Sequence, residues 1–264
     1  MYRSDDNRPI QPVCFCIHNN GTMGTPRYIY EEVVISLLST RNLLSELDYD
    51  ELGCKVDRLR LTTAGIREFV AQGSTSGAKA VPDVAIRLFA NTVLPPRNPA
   101  IQWDDSFPRG FFFPGNPSQI PILKCVGEDC CLGQALSESL DLIAQRVKTH
   151  QEAGRKCLRP ILVVVSAGRE NDGLPTVLES ASQRCREQIA KGELTVLMYG
   201  TTTNTNMELL SGTAPGAVVK SVDMTQIPWE LKNIWQYVTV ETGRDVPVKG
   251  DAREYILGIF SDVE

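Results

Sequence analysis

A continuous apolar run, ILVVV at residues 161–165, limits the choice of fold more than any other segment of this sequence. Such a run, without polar alternation, is typical of a central strand in a parallel sheet that is buried on both faces. A second apolar run, VCFCI at residues 13–17, ends at the polar, Gly-containing stretch HNNGTMG. Amphipathic helical patterns separate these runs from further β-prone segments. We therefore predict an α/β, Rossmann-like fold with a mostly parallel central sheet and helices on both faces.

The chain of 264 residues is long enough for one large α/β domain. We expect a single domain over residues 1–243 and a C-terminal extension over residues 244–264. Thr25 and Pro26 resemble the start of a helix, with Thr25 as the N-cap, so we predict a helical insertion near residues 26–54. The apolar spacing predicts further helices near 55–71, 132–147, 175–191, 206–211 and 228–238, and strands near 83–94, 194–200 and 217–222.

Residues 95–120 are dense in Pro, Gly and aromatic residues, which predicts a long irregular loop. This loop contains three adjacent phenylalanines, Phe111 to Phe113. Two interpretations are open for them. Exposed rings would form an apolar contact patch, whereas buried rings would fix the loop to the domain.

Composition and charge exclude several classes of function. A net charge of −5 and a pI near 5.3, without a cluster of Lys and Arg, argue against nucleic-acid binding. No run is apolar enough for a signal peptide or a membrane span. The eight cysteines include no CxxC pair, so we expect reduced thiols in a cytoplasmic protein. The P-loop, GxGxxG, HExxH and GxSxG motifs do not occur, so the common nucleotide, protease and esterase chemistries have no motif here.

Three polar loops are predicted at the carboxyl edge of the sheet, where open α/β sheets bind ligands. They are residues 18–23 after the first strand, residues 128–133 before the long helix, and residues 166–168 after ILVVV. With their flanks, PVCFCIHNNGTMG, CCLGQALSESLDLI and RPILVVVSAGREND, these loops resemble the von Willebrand A domain. The bacterial type found with tellurite-resistance and stress-response operons is the most similar. The resemblance spans residues 12–240 and takes 26–54 as an insertion before the family's first helix at 55–71, although the reverse assignment is open.

This resemblance implies a metal-ion-dependent adhesion site, in which D-x-S-G-S-M, G-G-T-x-L-G and T-D-G segments hold Mg²⁺ through oxygen ligands. The matching positions here carry His18 and Ala167 for the two Asp, Asn20 and Thr22 for the two Ser, Gly21 for the Gly, and Cys130 for the Thr. Mg²⁺ prefers oxygen ligands that include a carboxylate. We therefore expect a degenerate site that no longer binds Mg²⁺, and a protein without a cofactor.

One alternative keeps a metal at these loops. A rearranged ligand set of Asn20, Thr22 and Asp129 would make the protein a metal-dependent binder. Loss of two carboxylates instead permits a different interaction, in which the loop backbone and His18 bind an acidic side chain directly.

The thiols near the first loop suggest two further chemistries. Cys14, Cys16 and His18 alternate along one strand, so together with Cys130 or Cys131 they could bind zinc. Small buried thiols that pack in the core are the commoner role for such residues. A His18–Cys130 pair could support a cysteine-based enzyme if a third group oriented the base.

We therefore expect a non-catalytic scaffold or adaptor that binds protein partners, with candidate binding residues at the degenerate adhesion-site loops. By resemblance to the family, a stress-response or phage-defence setting is implied. The sequence leaves the oligomeric state and the identity of the partner open.

Overall fold

The computed structural model describes residues 8–75, 77–90, 93–94, 110–125, 127, 130–166, 175–201, 212 and 216–242. The strands in this part of the chain are β1 (Ile10–His18), β2 (Arg27–Ile29), β3 (Tyr49–Asp50), β4 (Gly53–Val56), β5 (Val81–Phe89), β6 (Val93–Leu94), β7 (Ile161–Ser166), β8 (Thr195–Gly200) and β9 (Val218–Ser221). The helices are α1 (Gly21–Gly24), α2 (Glu32–Thr40), α3 (Arg58–Gly73), α4 (Leu132–Glu152), α5 (Pro175–Ala190) and α6 (Ile227–Thr242).

The main sheet has six strands in the order β6-β5-β1-β7-β8-β9. All neighbours are parallel except β6, which runs antiparallel to β5 at the edge. Every residue of β1, β7 and β8 is buried. This confirms the predicted α/β architecture, and it shows why the VCFCI and ILVVV runs lack polar alternation: helices cover both faces of these strands.

Alternate residues of β1 serve two separate parts of the core. Val13, Phe15 and Ile17 belong to a cluster with residues of α2, α3 and α6. Cys14 and Cys16 belong to the cluster on the other face, with residues of α4 and α5. The two-residue period of a strand therefore distributes the apolar side chains between two helical layers.

Aromatic rings connect the sheet to α6 on the face to which Phe15 belongs. The ring of Phe15 lies 5.8 Å from that of Phe69 in α3, and Phe69 lies 5.4 Å from Trp235 in α6. A Cβ at Gly65 would lie 2.8 Å from the Cβ of Leu231, so α3 and α6 pack at very close range. Phe69 of α3 therefore provides an aromatic contact between the sheet and α6.

The segment 26–54 differs from its prediction as a helical insertion. Thr25 is not the N-cap of a following helix; it is the C-cap of α1, and its hydroxyl donates to the carbonyl of Gly21 in that helix. Pro26 precedes strand β2, which pairs with β4, and β4 pairs with β3 in a three-stranded antiparallel sheet. Helix α2 covers only part of the segment. The helical interpretation was wrong because the partner of β2 lies more than twenty residues further along the chain, beyond the reach of a local pattern.

The described part of the 95–120 loop is fixed to the domain. The backbones of Phe112 and Val84 exchange two hydrogen bonds of 2.9 Å, and Phe111 and Phe112 are buried. Phe113 is half-buried beneath the guanidinium of Arg146, 5.2 Å from its ring centre. The interpretation of these rings as an exposed patch is therefore wrong, and the alternative, in which they fix the loop, is supported.

A buried polar cluster lies at the amino end of β5. The carboxylate of Asp83 accepts hydrogen bonds of 2.6 and 2.9 Å from Arg146, and it lies 2.7 Å from Nε2 of His150. Asp83 and His150 are fully buried, and Nδ1 of His150 has no hydrogen-bond partner in the described part of the chain. The cluster joins the C-terminal half of α4 to the sheet.

Within the ranges given above, no helix is long and apolar enough to cross a bilayer. The helix predicted near 206–211, the extension 244–264 and residues 95–109 lie outside the described residues. The single domain over 1–243 stays a prediction.

Candidate functional site

The carboxyl ends of four neighbouring strands meet at one edge of the main sheet. His18 at the end of β1 is in register with Phe89 at the end of β5, and Ser166 of β7 is in register with Gly200 of β8. The backbone N–H of Asn19 donates to the carbonyl of Phe89 at 3.0 Å. Parallel topology thus brings the loop after β1 beside the ends of its neighbours, where open sheets bind ligands.

The loop before α4 reaches the same edge. The N–H of Cys131 donates to the carbonyl of Ala90 at 2.9 Å, directly after β5. The thiol of Cys16 in β1 is close enough to Cys130 and Cys131 to interact with them electrostatically. Two of the three loops singled out from the sequence therefore converge. Ala167 of the third loop lies outside the described residues, although Ser166 just before it belongs to this edge.

His18 lies inside the core. It is fully buried, and its ring stacks on Phe89 with 5.0 Å between the centres and 6° between the planes. A partner on the protein surface would therefore not contact the imidazole directly, which weakens the hypothesis that His18 binds an acidic side chain.

Asn20 and the two residues after it form a capped turn. Asn20 is the N-cap of α1, and its Oδ1 accepts a hydrogen bond of 3.2 Å from the N–H of Met23. The N–H of Gly21 donates to the carbonyl of Gly127 at 3.1 Å. Gly21 and Thr22 are exposed. The amide oxygen that the sequence suggested as a metal ligand is thus used to hold the loop in shape.

A buried guanidinium, which the sequence analysis missed, joins this loop to the end of β8, two strands away in the sheet. Arg58 is the first residue of α3 and is 4% exposed. It donates to the carbonyl of Thr22 at 2.9 Å and to that of Thr201 at 2.8 Å. Burial and the nearby Arg27 lower the pKa of Arg58, while Asp223 opposes them. Arginine still carries its charge at neutral pH, so a fixed cation stands at this edge.

Asn19, also missed, presents an unused acceptor. Its side chain is fully buried; Nδ2 donates weakly to the carbonyl of Lys124 at 3.4 Å, and Oδ1 has no hydrogen-bond partner in the residues that the structure describes. A basic residue near a polar loop and an Asn at the end of a strand are common in any sequence. No sequence pattern therefore pointed to Arg58 or Asn19.

The described side chains of these loops supply no carboxylate for a Mg²⁺ ion. The amide of Asn20 caps α1, the carbonyl of Thr22 faces a guanidinium, and the remaining oxygen of Asn19 is neutral. Mg²⁺ dehydrates reluctantly and needs carboxylate or phosphate oxygens to replace its water. Across the described stretches of the chain, no group of three or more His, Cys, Asp and Glu side chains is placed to hold a metal ion. Asp129 of the rearranged ligand set lies outside those stretches.

The thiols near β1 are core residues. Cys14, Cys16, Cys130 and Cys131 are all buried in the apolar cluster beneath α4 and α5. Burial raises the pKa of Cys14 from 9.0 to about 12, and it also raises that of Cys16. A thiol nucleophile or zinc ligand needs the opposite shift, toward the thiolate. The arrangement favours packing over zinc binding.

Cys125 is the exposed member of the eight cysteines. A Cβ at Gly24 would lie 2.3 Å from the Cβ of Cys125, so this residue lies directly against the end of α1. Partial burial of the thiol and the nearby Asp57 raise the pKa of Cys125, which makes it a poor nucleophile at neutral pH.

Comparison with known proteins supports the fold. A von Willebrand factor type A protein from Catenulispora acidiphila aligns with a TM-score of 0.51 at 10% sequence identity, covering 86% of this chain and 42% of that one. Proximal thread matrix protein 1 from the mussel byssus aligns with a TM-score of 0.46 at 12% identity, over 88% of this chain and 49% of its own. This chain therefore spans less than half the length of either structure. No family model and no curated protein matches the sequence.

Proposed function

We propose that this chain, which has a von Willebrand A-like fold, is a non-catalytic protein-interaction module that binds its partner without a metal ion. The degenerate adhesion site is part of this proposal, and so is a stress-response or phage-defence setting, which rests on the sequence resemblance alone.

The observation that carries the proposal is the cation at the loop edge. Arg58 is buried and bridges the carbonyls of Thr22 and Thr201, at the edge where the resemblance implies a Mg²⁺ ion. Two unit charges of the same sign near each other in a partly buried site repel strongly. A divalent cation beside this guanidinium would need carboxylates beyond Asp223, which already offsets part of the charge of Arg58, and His18, Asn19, Asn20, Thr22 and Cys130 supply none.

The buried thiols support the non-catalytic part of the proposal. Cys14 and Cys16 are held protonated by burial, and His18 is stacked on Phe89 inside the core. The metal-dependent alternative with Asn20, Thr22 and Asp129 has no observation in its favour, since Asn20 is committed to capping α1.

The proposal is tested by capture of the partner with and without a chelator. The intact protein is immobilised and exposed to lysate of its own source, once with excess EDTA and once with excess Mg²⁺. We expect the same stoichiometric partner under both conditions. Loss of the partner in EDTA, restored by Mg²⁺, would overturn the proposal.

Thermal unfolding provides an independent measurement. A site that binds an ion at one hundred times its dissociation constant stabilises the folded state by about 2.7 kcal/mol, which moves the midpoint by several degrees. We expect no such shift with Mg²⁺ or Mn²⁺. The metal-dependent alternative would be favoured if the metal raised the midpoint of the original chain and of the matched surface variant Thr40→Ala, but not that of Thr22→Ala.

A further inference from the structure

We infer that the small sheet and helix α2 form a docking surface for a basic, amphipathic segment of another protein. This inference rests on the proposed interaction function and identifies its contact surface. The surface is defined by five side chains, Tyr30, Val33, Leu47, Tyr49 and Leu52, and is called the apolar surface below.

The apolar surface is unusually exposed. Its members are exposed by 70% (Tyr30), 67% (Val33), 95% (Leu47), 47% (Tyr49) and 65% (Leu52). They are all the large hydrophobic side chains that are exposed in the described ranges, and they fall between residues 30 and 52. Singly scattered apolar side chains are normal on a protein surface, whereas these five lie on the small sheet, on α2 and on the segment that joins them.

The backbone of the small sheet brings part of this surface together. The ring of Tyr30 lies over Gly53, where a Cβ would approach its Cε1 to 3.1 Å. Tyr49 of β3 and Ile29 of β2 both pair with Cys54 of β4, and Leu52 directly precedes Gly53. Gly53 has a φ of +129°, which favours glycine. The turn thus places Leu52 beside the same glycine that the ring of Tyr30 covers.

The same elements are firmly attached on their inner side. Ile29, Val34, Leu38, Cys54 and Val56 are buried in the core cluster with α3. The exposed side chains therefore do not belong to a loosely packed edge of the fold, because the backbone that carries them has a complete inner layer.

Ion pairs add to this attachment. Arg41 pairs with Glu68 of α3 at 2.5 Å, and Asp48 pairs with Arg60 of α3 at 2.5 Å. With both of these charges satisfied inside the domain, the charge that faces a partner comes from the remaining exposed residues.

That remaining charge is acidic and interleaved with the apolar surface. Glu31 and Glu32 lie between Tyr30 and Val33, and Asp50 and Glu51 lie between Tyr49 and Leu52. All four carboxylates belong to exposed residues, against two exposed cationic residues in the same segment, Arg27 and Lys55.

This pattern selects the occupant. Apolar side chains surrounded by carboxylates complement a helix or strand that has apolar residues on one face and Lys or Arg beside them. A second copy of this chain fits less well, since it would bring the same carboxylates against each other and the whole chain carries a net charge of −5.

The test selects binders from a random peptide library displayed on phage, using the intact protein in EDTA as bait, and measures each enriched peptide by fluorescence anisotropy. We expect enriched peptides with a net positive charge and apolar residues at helical or strand spacing. Their affinity should fall about tenfold or more in Leu52→Ser and in Tyr30→Ser, and it should weaken as salt is raised.

Charge variants complete the design. Glu31→Lys combined with Glu51→Lys should weaken binding, whereas the matched control Glu179→Lys combined with Glu187→Lys, on the exposed side of α5, should not. Unchanged thermal midpoints would establish that the surface variants are folded.

Three outcomes would overturn the inference. These are no enriched peptide, enriched peptides that bind Leu52→Ser and Tyr30→Ser as well as the original chain, and a dimer in light scattering that Leu52→Ser converts to a monomer. The second outcome leaves the proposed interaction function intact and places its surface elsewhere. Failure of that function would instead appear as chelator-sensitive capture, with no dependence on the apolar surface.

Discussion

Substitution of Asp83 by Asn removes the charge that joins α4 to the sheet. Its carboxylate is fully buried, accepts two hydrogen bonds from Arg146 and lies 2.7 Å from His150. Removal of one partner from a buried ion pair costs about 3–5 kcal/mol, because the other charge stays buried without compensation. The Arg146 side chain is 21% exposed, so water can partly solvate it in the variant. We therefore expect a loss at the lower end of that range, about 3 kcal/mol.

The assay is urea unfolding followed by circular dichroism, with a thermal scan as a second measurement. For a chain of this size, a loss of about 3 kcal/mol corresponds to a fall of roughly 6–12 °C in the midpoint. The matched control is Asp141→Asn, which makes the same chemical change on α4, the helix that carries Arg146. Asp141 pairs with Arg184 at 2.5 Å but its side chain is 67% exposed, so we expect a loss below about 1 kcal/mol.

A double-mutant cycle separates the ion pair from other effects of the substitution. Arg146→Met alone leaves the Asp83 carboxylate buried with only His150 beside it, whereas both substitutions together leave no charge uncompensated. We expect the double variant to be more stable than the sum of the single losses implies, by about 1 kcal/mol or more. Losses that add without coupling, or an Asp83→Asn loss as small as that of Asp141→Asn, would refute the reasoning.

Further predictions concern packing, thiol reactivity and pH. Gly133→Ala should cost about 1–3 kcal/mol in urea unfolding, because its Cβ would lie 2.7 Å from the backbone of Leu178 in α5; an unchanged midpoint would show that α4 and α5 can separate freely. A thiol reagent should modify Cys125 first in the folded protein and reach Cys14 and Cys185 only on unfolding; fast reaction of either buried thiol would contradict the packing described above. Stability should be insensitive to these thiols below pH 9 and should fall between about pH 9 and 12, because burial raises the pKa of Cys14 and Cys185 from 9.0 to about 12 and the folded state retains their protons longer. A stability that rises with pH over this range would show the opposite sign.

The sequence was sufficient for the central strands β1 and β7 because their apolar runs are short and continuous, whereas the strand predicted near 83–94 is β5 followed by the antiparallel β6. ILVVV and VCFCI could be assigned without knowledge of their partners, since burial on both faces leaves no other role for them. The amphipathic stripes of α3, α4 and α5 were equally local, and the Asp57 N-cap marks the start of α3.

The prediction failed where exposed apolar side chains resembled a core-facing stripe. The predicted helical insertion near 26–54 includes Tyr30, Val33 and Leu47, yet all three are exposed and two of them lie outside α2. Periodicity identifies a buried face only when the apolar residues are in fact buried. A segment that presents apolar side chains to a partner breaks this premise, which is why errors of this kind concentrate at functional surfaces.

The candidate site was predictable only in outline. Convergence of the loops after β1 and before α4 follows from parallel topology, so their residues could be named in advance. The use of Asn20 as a cap and of Arg58 as a bridge depends on side-chain directions across elements that are distant in sequence. Asp83 did leave a trace, because a carboxylate inside the largely buried strand VPDVAIRLF requires a buried partner.

The Asp83 cluster and the His18 loop lie at opposite ends of the same pair of strands, six residues apart along β5. At about 3.3 Å per residue, that separation is roughly 20 Å. Substitutions in the loops at the carboxyl edge can therefore accumulate without loosening the polar cluster that secures α4. Because the two ends of the strands are separate in this way, proteins with this architecture could change the residues that recognise a partner and keep the same packing of α4 on the sheet.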